Sequence, residues 1–146
     1  MDADGPNETI RRFGHPATLI AETDAWVLLL RPDQPTLGSM ILAAKGTFTA
    51  FGDLPPAAFA DFGRMVGRIE AALRATVAPA KINYLMLMMV DPHVHFHILP
   101  RYAGERSEAG LTVADAGWPK QPDLASAKRP DANQVQALCA WLRAAM

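Results

Sequence analysis

The sequence has a single cysteine, no long hydrophobic run and almost no net charge, and each absence excludes a class of protein. Cys139 has no partner for an internal disulfide, which favours a reducing compartment. The longest apolar run, Leu85 to Val90, is far shorter than the roughly 20 residues that a membrane-spanning helix needs. The formal net charge of -1 provides no overall basic field to recruit a nucleic-acid backbone.

The amino terminus also lacks the features of a secretory signal. It begins Met-Asp-Ala-Asp-Gly-Pro-Asn-Glu, with no basic segment followed by an apolar core. Half of the residues are apolar and 20% are charged, a balance typical of a globular protein and not of a disordered chain. We therefore expect a cytoplasmic protein of one domain, residues 1–146, that binds neither nucleic acid nor a membrane.

The distribution of apolar and turn-forming residues predicts an α+β fold. Five short apolar segments are predicted strands, namely 17–22, 26–30, 39–44, 81–90 and 93–101. A long helix is predicted from Leu54 to Thr76, with Asp53 as its N-cap, and a last helix begins after a cap at Asp131. Because short turns join successive strands, we expect a five-stranded antiparallel sheet with its helices on one face.

Three finer expectations concern the faces and connections of these elements. The inward stripe of the long helix is predicted from apolar residues three and four apart, which are Phe59, Phe62, Val66, Ile69 and Leu73. Asp91-Pro92 is a predicted turn that joins the last two strands as a hairpin. Residues 103–130, rich in Gly, Pro, Asp and Lys, are expected to form a loop.

The most informative segment runs from Asp91 to Tyr102 and holds three of the four histidines at alternate positions. Because strand side chains alternate, His93, His95 and His97 are expected on one face, at intervals of ~6.6 Å. The apolar residues between them would then pack beneath the long helix. Chance rarely places three histidines in this way, and His has no strong preference for strands that would explain the repeat.

Three interpretations of the histidines are open at this point. They could be solvent-exposed residues of a sheet face, or ligands of a metal ion, since neutral imidazole is a common ligand. A flat strand, however, holds the outer two imidazoles too far apart to meet on one ion. Alternatively, one imidazole is a nucleophile for phosphorus while its neighbours position phosphate and protons. Arg101 either contacts the phosphate or is a solvated residue at the strand end.

The segment His93-Val-His95-Phe-His97-Ile-Leu resembles the motif of the histidine triad family, in which Pro-Arg is also common at the positions of Pro100-Arg101. The preceding order of loop, strand and helix is similar too, so the resemblance covers roughly residues 17–102. It implies a histidine-triad fold and a small-molecule nucleotide substrate. The implied activity is hydrolysis or nucleotidyl transfer on a nucleoside phosphoramidate or a dinucleoside polyphosphate.

The resemblance also implies a role for each histidine. His95 would be the nucleophile that takes up the nucleotidyl group, His93 would orient or protonate the site, and His97 would contact the phosphate. Members of the family usually form homodimers and have no obligatory metal, so we expect a homodimer with no cofactor.

Two positions differ from the family pattern. Ser39 follows Gly38 where many members have a further histidine, and Met88-Met89 occupies the place of a Gly-Gln or Gly-Asn pair that often holds phosphate. Because both differences remove polar groups, a catalytically weak nucleotide-binding module of the same fold is the alternative. The candidate substrate-binding residues are Ser39, Asn83 and Arg101. Trp118 belongs to a tail segment that could close over the site.

Overall fold

The computed structural model describes residues 5–146. Five strands form the main sheet, β1 (Leu19–Glu22), β2 (Trp26–Leu30), β3 (Met40–Ala44), β4 (Lys81–Leu85) and β5 (His95–Arg101). Three α-helices accompany them, α1 (Glu8–Arg12), α2 (Pro56–Thr76) and α3 (Ala132–Ala144). A smaller hairpin consists of β6 (Glu105–Glu108) and β7 (Leu111–Ala114). The main sheet is antiparallel throughout and has the spatial order β1-β2-β3-β5-β4, which confirms the predicted fold class.

The two faces of the sheet are covered by different helices. Leu28, Leu42 and Ile98 point toward α2 and α3, where they join the larger hydrophobic core. The alternate residues, such as Leu29 and Ile41, form a second cluster with Ile10 of α1. The prediction that all helices lie on one face is therefore wrong for α1, which packs on the face that also carries the histidines.

The start and the inward face of α2 differ from the prediction. Asp53 lies in a short 3-10 turn, Phe51–Asp53, and the helix begins at Pro56 with no side-chain cap at Pro55. Phe59 is 40% exposed and packs against Phe51, with 5.2 Å between the ring centroids. The inward residues of α2 are Ala58, Asp61, Met65, Ile69, Ala72 and Leu73.

The predicted hairpin of β4 and β5 is confirmed, but its two strands are shorter than expected. β4 ends at Leu85, β5 begins at His95, and residues 86–94 connect them without strand structure. The connection is therefore much longer than a two-residue turn at Asp91-Pro92. Met88 in this connection has a φ of +51°, the left-handed backbone conformation that favours glycine.

The carboxyl-terminal third contains more regular structure than the sequence indicated. β6 and β7 lie inside the segment expected to be a loop, and their pairing buries Leu111 and Val113. The expected cap of the last helix is confirmed, because the Asp131 side chain accepts from the Gln134 backbone N–H in a capping box. Within residues 5–146, no helix combines the length and the apolar character needed to cross a membrane.

Candidate active site

The imidazoles of His95 and His97 lie side by side on β5, an interior strand of the sheet. β5 sits between β3 and β4, and His97 is opposite Ile41 on one side and Leu85 on the other. The two ring centroids are 5.2 Å apart, and the ring of Phe13 lies 5.4 and 5.8 Å from them. His95 is 2% exposed and His97 6%, so α1 and the sheet bury all but a small part of both side chains.

One nitrogen of His95 is fixed by the backbone and the other is free. Nδ1 lies 2.8 Å from the carbonyl oxygen of His93. Because a carbonyl can only accept, Nδ1 carries the proton and the lone pair is left on Nε2. Nε2 has no hydrogen-bond partner in residues 5–146, where every fully buried side-chain nitrogen or oxygen has one, so Nε2 reaches the solvent. A free Nε2 lone pair is what a nucleophilic histidine requires.

His97 has the complementary arrangement. The Nε of Arg31 donates to Nδ1 of His97 at 3.2 Å, which leaves the ring proton of neutral His97 on Nε2. Burial, and after it the positive charge of Arg31 and the neighbouring ring of His95, lower the pKa of His97 to about 4, although Asp91 acts in the opposite direction. His97 is therefore neutral at pH 7 and presents an N–H donor beside the lone pair of His95.

His93 does not lie on the strand, which corrects the expectation that the three histidines form one flat row. It precedes β5, and its Nδ1 is 3.0 Å from the hydroxyl of Thr9 in α1. The backbone N–H of His93 also donates to that hydroxyl, at 3.3 Å. The chain is therefore anchored to α1 at the residue whose carbonyl orients His95.

An ion pair ties α1 to the connection before β5. Arg12 donates to Asp91 at 2.7 Å and to Glu8 at 2.8 Å. Its side chain is exposed, so the energetic contribution of each pair is small, about 0–1 kcal/mol. The pair nevertheless keeps the carboxylate of Asp91 close enough to influence His97.

Ser39 lies in a turn, where its hydroxyl forms no hydrogen bond with a histidine of residues 5–146. Its side chain is fully buried, and its hydroxyl donates to the carbonyl of Thr36 at 2.7 Å and contacts the Thr36 hydroxyl at 2.9 Å. These bonds occupy the hydroxyl within the segment that leads into β3.

Asn83 and Arg101 are brought together, but at a distance from the histidines. Arg101 shares the face of His97 and lies four residues further along β5, or ~13 Å at the usual rise per residue. Its Nη1 donates to the Asn83 side-chain oxygen at 2.7 Å, and its other donors engage Asp115 and the Lys120 carbonyl. Trp118 lines a cavity beside this pair.

The residues that the sequence analysis missed come from α1 and from the end of β2. Arg31 had a usable signal, because Val27, Leu29 and Arg31 alternate along one face and the first two point toward the histidine side. Thr9 and Phe13 had none, since nothing in the sequence places the first helix on that face.

The described residues provide no evident metal site. Among residues 5–146, no group of three or more His, Cys, Asp or Glu side chains could hold an ion. The three Nδ1 atoms already face Thr9, a backbone carbonyl and Arg31.

A five-stranded antiparallel sheet with paired imidazoles on the interior strand β5, beneath a short amino-terminal helix, defines the class of histidine-triad proteins. The HIT domain family model matches residues 12–104, more than half of the chain, and the protein therefore belongs to the histidine triad family. Members of this family are nucleotide-binding proteins, generally hydrolases or transferases.

Solved structures agree with this fold. The protein is similar to a histidine triad protein of Sinorhizobium meliloti, with a TM-score of 0.73, 18% identity, and 96% and 95% of the two chains covered. A histidine triad protein of Bradyrhizobium japonicum is similar with a TM-score of 0.64 and 21% identity, over 87% of this chain and 88% of that chain. A hypothetical histidine triad nucleotide-binding protein of Sulfolobus tokodaii is similar with a TM-score of 0.64 and 16% identity, over 88% of this chain and 82% of that chain. No curated protein sequence matches.

Proposed function

We propose that the protein is a nucleotide-phosphate hydrolase or nucleotidyl transferase that acts through a covalent nucleotidyl-His95 intermediate. The substrate is a nucleoside phosphoramidate or a dinucleoside polyphosphate. The observation that supports this proposal best is the free Nε2 of His95, held in the nucleophilic tautomer by the His93 carbonyl.

In the first step, the Nε2 lone pair of His95 attacks the phosphorus. An N–P bond forms and the bond from phosphorus to the leaving group breaks, with its electron pair going to the leaving atom. The neutral His97 donates its Nε2–H to a non-bridging oxygen as negative charge develops there. His93 is the proposed proton donor to the leaving atom.

In the second step, water or another acceptor attacks the same phosphorus and gives its proton to His93, which lost one to the leaving atom in the first step. The N–P bond breaks, the electron pair returns to Nε2, and the nucleoside monophosphate or its ester is released. Two displacements at one phosphorus replace a single difficult one, which is the advantage of a covalent route.

Replacing the nucleophile tests this proposal. His95→Gly should abolish turnover of an adenosine phosphoramidate and of a dinucleoside polyphosphate, and quenched wild-type reactions should contain a protein mass increased by one nucleotidyl group. The matched control is His15→Ala, which removes a histidine that makes no side-chain hydrogen bond with residues 5–146. Unchanged turnover by a clean His95→Gly preparation would refute the assignment.

A nucleotide-binding module with little catalysis is the second candidate. Two observations favour it. The hydroxyl of Ser39 is already hydrogen-bonded to Thr36. Met89, at a position where an amide often holds phosphate, is an apolar residue that is 87% exposed. Calorimetry with adenosine monophosphate, paired with a sensitive hydrolysis assay, separates the two. Binding without product from any nucleotide ester favours the module.

We further propose a homodimer of this protein in the cytoplasm, with the small nucleotide as its other partner. β4 is an edge strand of the sheet, and the connection after it carries the exposed apolar residues Leu87, Met89 and Val90. Open strand edges beside apolar side chains favour pairing with a second chain. Light scattering during size-exclusion chromatography should give twice the mass of one chain, and a single-chain mass would contradict this proposal.

A further inference from the structure

The cavity beside Asn83 and Arg101 opens on the sheet face that carries the histidines. It has a volume of about 260 Å³ and lies at the carboxyl end of β5, where Lys81 of β4 pairs with Arg101. Trp118 and Lys120 of the segment after β7 close its other side. Leu99, fully buried, separates it from His97 along the strand.

Arg101 lines this cavity, and the carboxylate of its buried partner Asp115 has no free hydrogen-bonding capacity. Arg101 is 3% exposed, and its Nε and Nη2 donate to the two oxygens of Asp115 at 2.7 and 3.0 Å. The same oxygens accept from the backbone N–H groups of Tyr102 and Gly117. With four hydrogen bonds and a neutralising guanidinium, Asp115 offers no free acceptor that would repel an anion.

The donors that remain point to an anionic ligand. One Nη1–H of Arg101 and both N–H groups of the Asn83 amide have no partner among residues 5–146. The orientation of that amide is fixed, because its oxygen accepts from Arg101. The ammonium groups of Lys81 and Lys120 form no ion pair or hydrogen bond within the same residues. The Arg101–Asp115 pair is neutral, so the two lysines give the cavity a net charge of about +2.

The wall of the cavity adds an aromatic surface. Trp118 is half-buried and lines the space next to the two lysines. An indole face beside cationic donors suits a ligand in which a planar ring lies close to the anionic group.

We propose that this cavity is a binding subsite for a phosphate monoester, separate from the histidine site, in which the dianion contacts Lys81, Asn83 and Lys120 and an attached ring packs on Trp118. The site charge matches a phosphate dianion better than a singly charged carboxylate. Its fixed amide and guanidinium N–H groups provide the several donors that three phosphate oxygens can accept. The inference does not depend on the chemistry of His95.

The test uses the whole protein and resolves the two sites by NMR. Inorganic phosphate, phenyl phosphate and benzoate are titrated separately while the indole N–H signal of Trp118 and the ring signals of His95 are followed. The Trp118 signal, assigned with Trp118→Phe, should move with phenyl phosphate at concentrations about tenfold lower than with inorganic phosphate, as ring stacking predicts. Benzoate should move it least.

Matched charge variants exclude a general electrostatic effect. Lys81→Ala/Lys120→Ala should weaken the response at Trp118 about tenfold or more and leave the response at His95 unchanged. Arg68→Ala/Arg74→Ala removes the same charge from exposed positions of α2 and should leave both responses unchanged. No movement of the Trp118 signal with any probe would overturn the proposal. Equal weakening by the two double variants would also overturn it.

Discussion

The two ends of β5 carry the same alternation of side chains toward one face but opposite electrostatic environments. At the amino end, His95 and His97 are enclosed by Phe13, and His97 is kept neutral by burial. At the carboxyl end, Arg101 is equally buried but stays paired with Asp115. A buried titratable base loses its charge, whereas a buried arginine keeps its charge and must have a partner.

This difference separates the functions that the two ends can perform. An imidazole lone pair can attack phosphorus and an imidazole N–H can donate to its oxygens, and His95 and His97 each keep one ring nitrogen free for these roles. A paired guanidinium contributes no proton transfer, but it fixes Asn83 and the chain around Lys120. The amino end is therefore suited to chemistry and the carboxyl end to holding a charge.

The largest effect is expected when the ion pair at the carboxyl end of β5 is broken. Arg101→Leu leaves the Asp115 carboxylate buried without its cation, which should lower the free energy of unfolding by about 3 kcal/mol. Equilibrium urea denaturation followed by circular dichroism measures the change.

The surface pair of Arg129 with Asp33 supplies the control. Its side chains are 72% and 48% exposed, so Arg129→Ala should cost at most about 1 kcal/mol. If Arg101→Leu cost no more than Arg129→Ala, the buried pair would not organise this end of the strand.

The second prediction concerns the neutrality of His97. Its pKa of about 4 in the folded protein lies below the ordinary value of 6.5, so the unfolded chain binds its proton more readily. The contribution of neutral His97 to the free energy of unfolding should be fully present above pH 6.5. It should fall by about 2 kcal/mol, after allowance for solvent screening, as the pH drops from 6.5 to 4.

A variant without the ionisable ring isolates this contribution. His97→Gln should show a smaller loss of stability between pH 6.5 and pH 4 than the wild type, measured by urea denaturation at each pH. An NMR titration should place the midpoint of the His97 ring near pH 4. A midpoint near 6.5 would mean that burial and Arg31 do not set its charge state.

The comparison also shows what could be predicted from the sequence. The strands with continuous apolar composition, such as Trp26–Leu30, were predicted correctly because a five-residue apolar run between turn residues is too short for a buried helix. The alternation of His95 and His97 identified their common face. The end of β4 was not predictable, because Met86 to Val90 is as apolar as a strand but continues as a connection with a left-handed residue.

The partners of the candidate site residues were less predictable than the residues themselves. His93 departs from the strand because Thr9, more than 80 residues earlier in the chain, bonds to it. Arg101 is held by Asp115, which lies in a segment with no regular pattern in the sequence. Local periodicity carries no information about such long-range hydrogen bonds.

The smallest expected effect concerns the exposed connection beside the histidines. The family resemblance predicts an amide that holds phosphate at the position of Met89, which is 87% exposed, and the backbone at Met88 has the left-handed conformation that glycine favours. Met89→Gln should therefore supply one hydrogen bond to the phosphate and tighten the binding of adenosine monophosphate about fivefold, or ~1 kcal/mol. Isothermal titration calorimetry measures the change.

Val90→Gln, at an equally exposed neighbouring position, should leave the affinity unchanged. Equal affinities of the two variants would show that position 89 does not face the phosphate, and the amino end would then bind through its imidazoles alone.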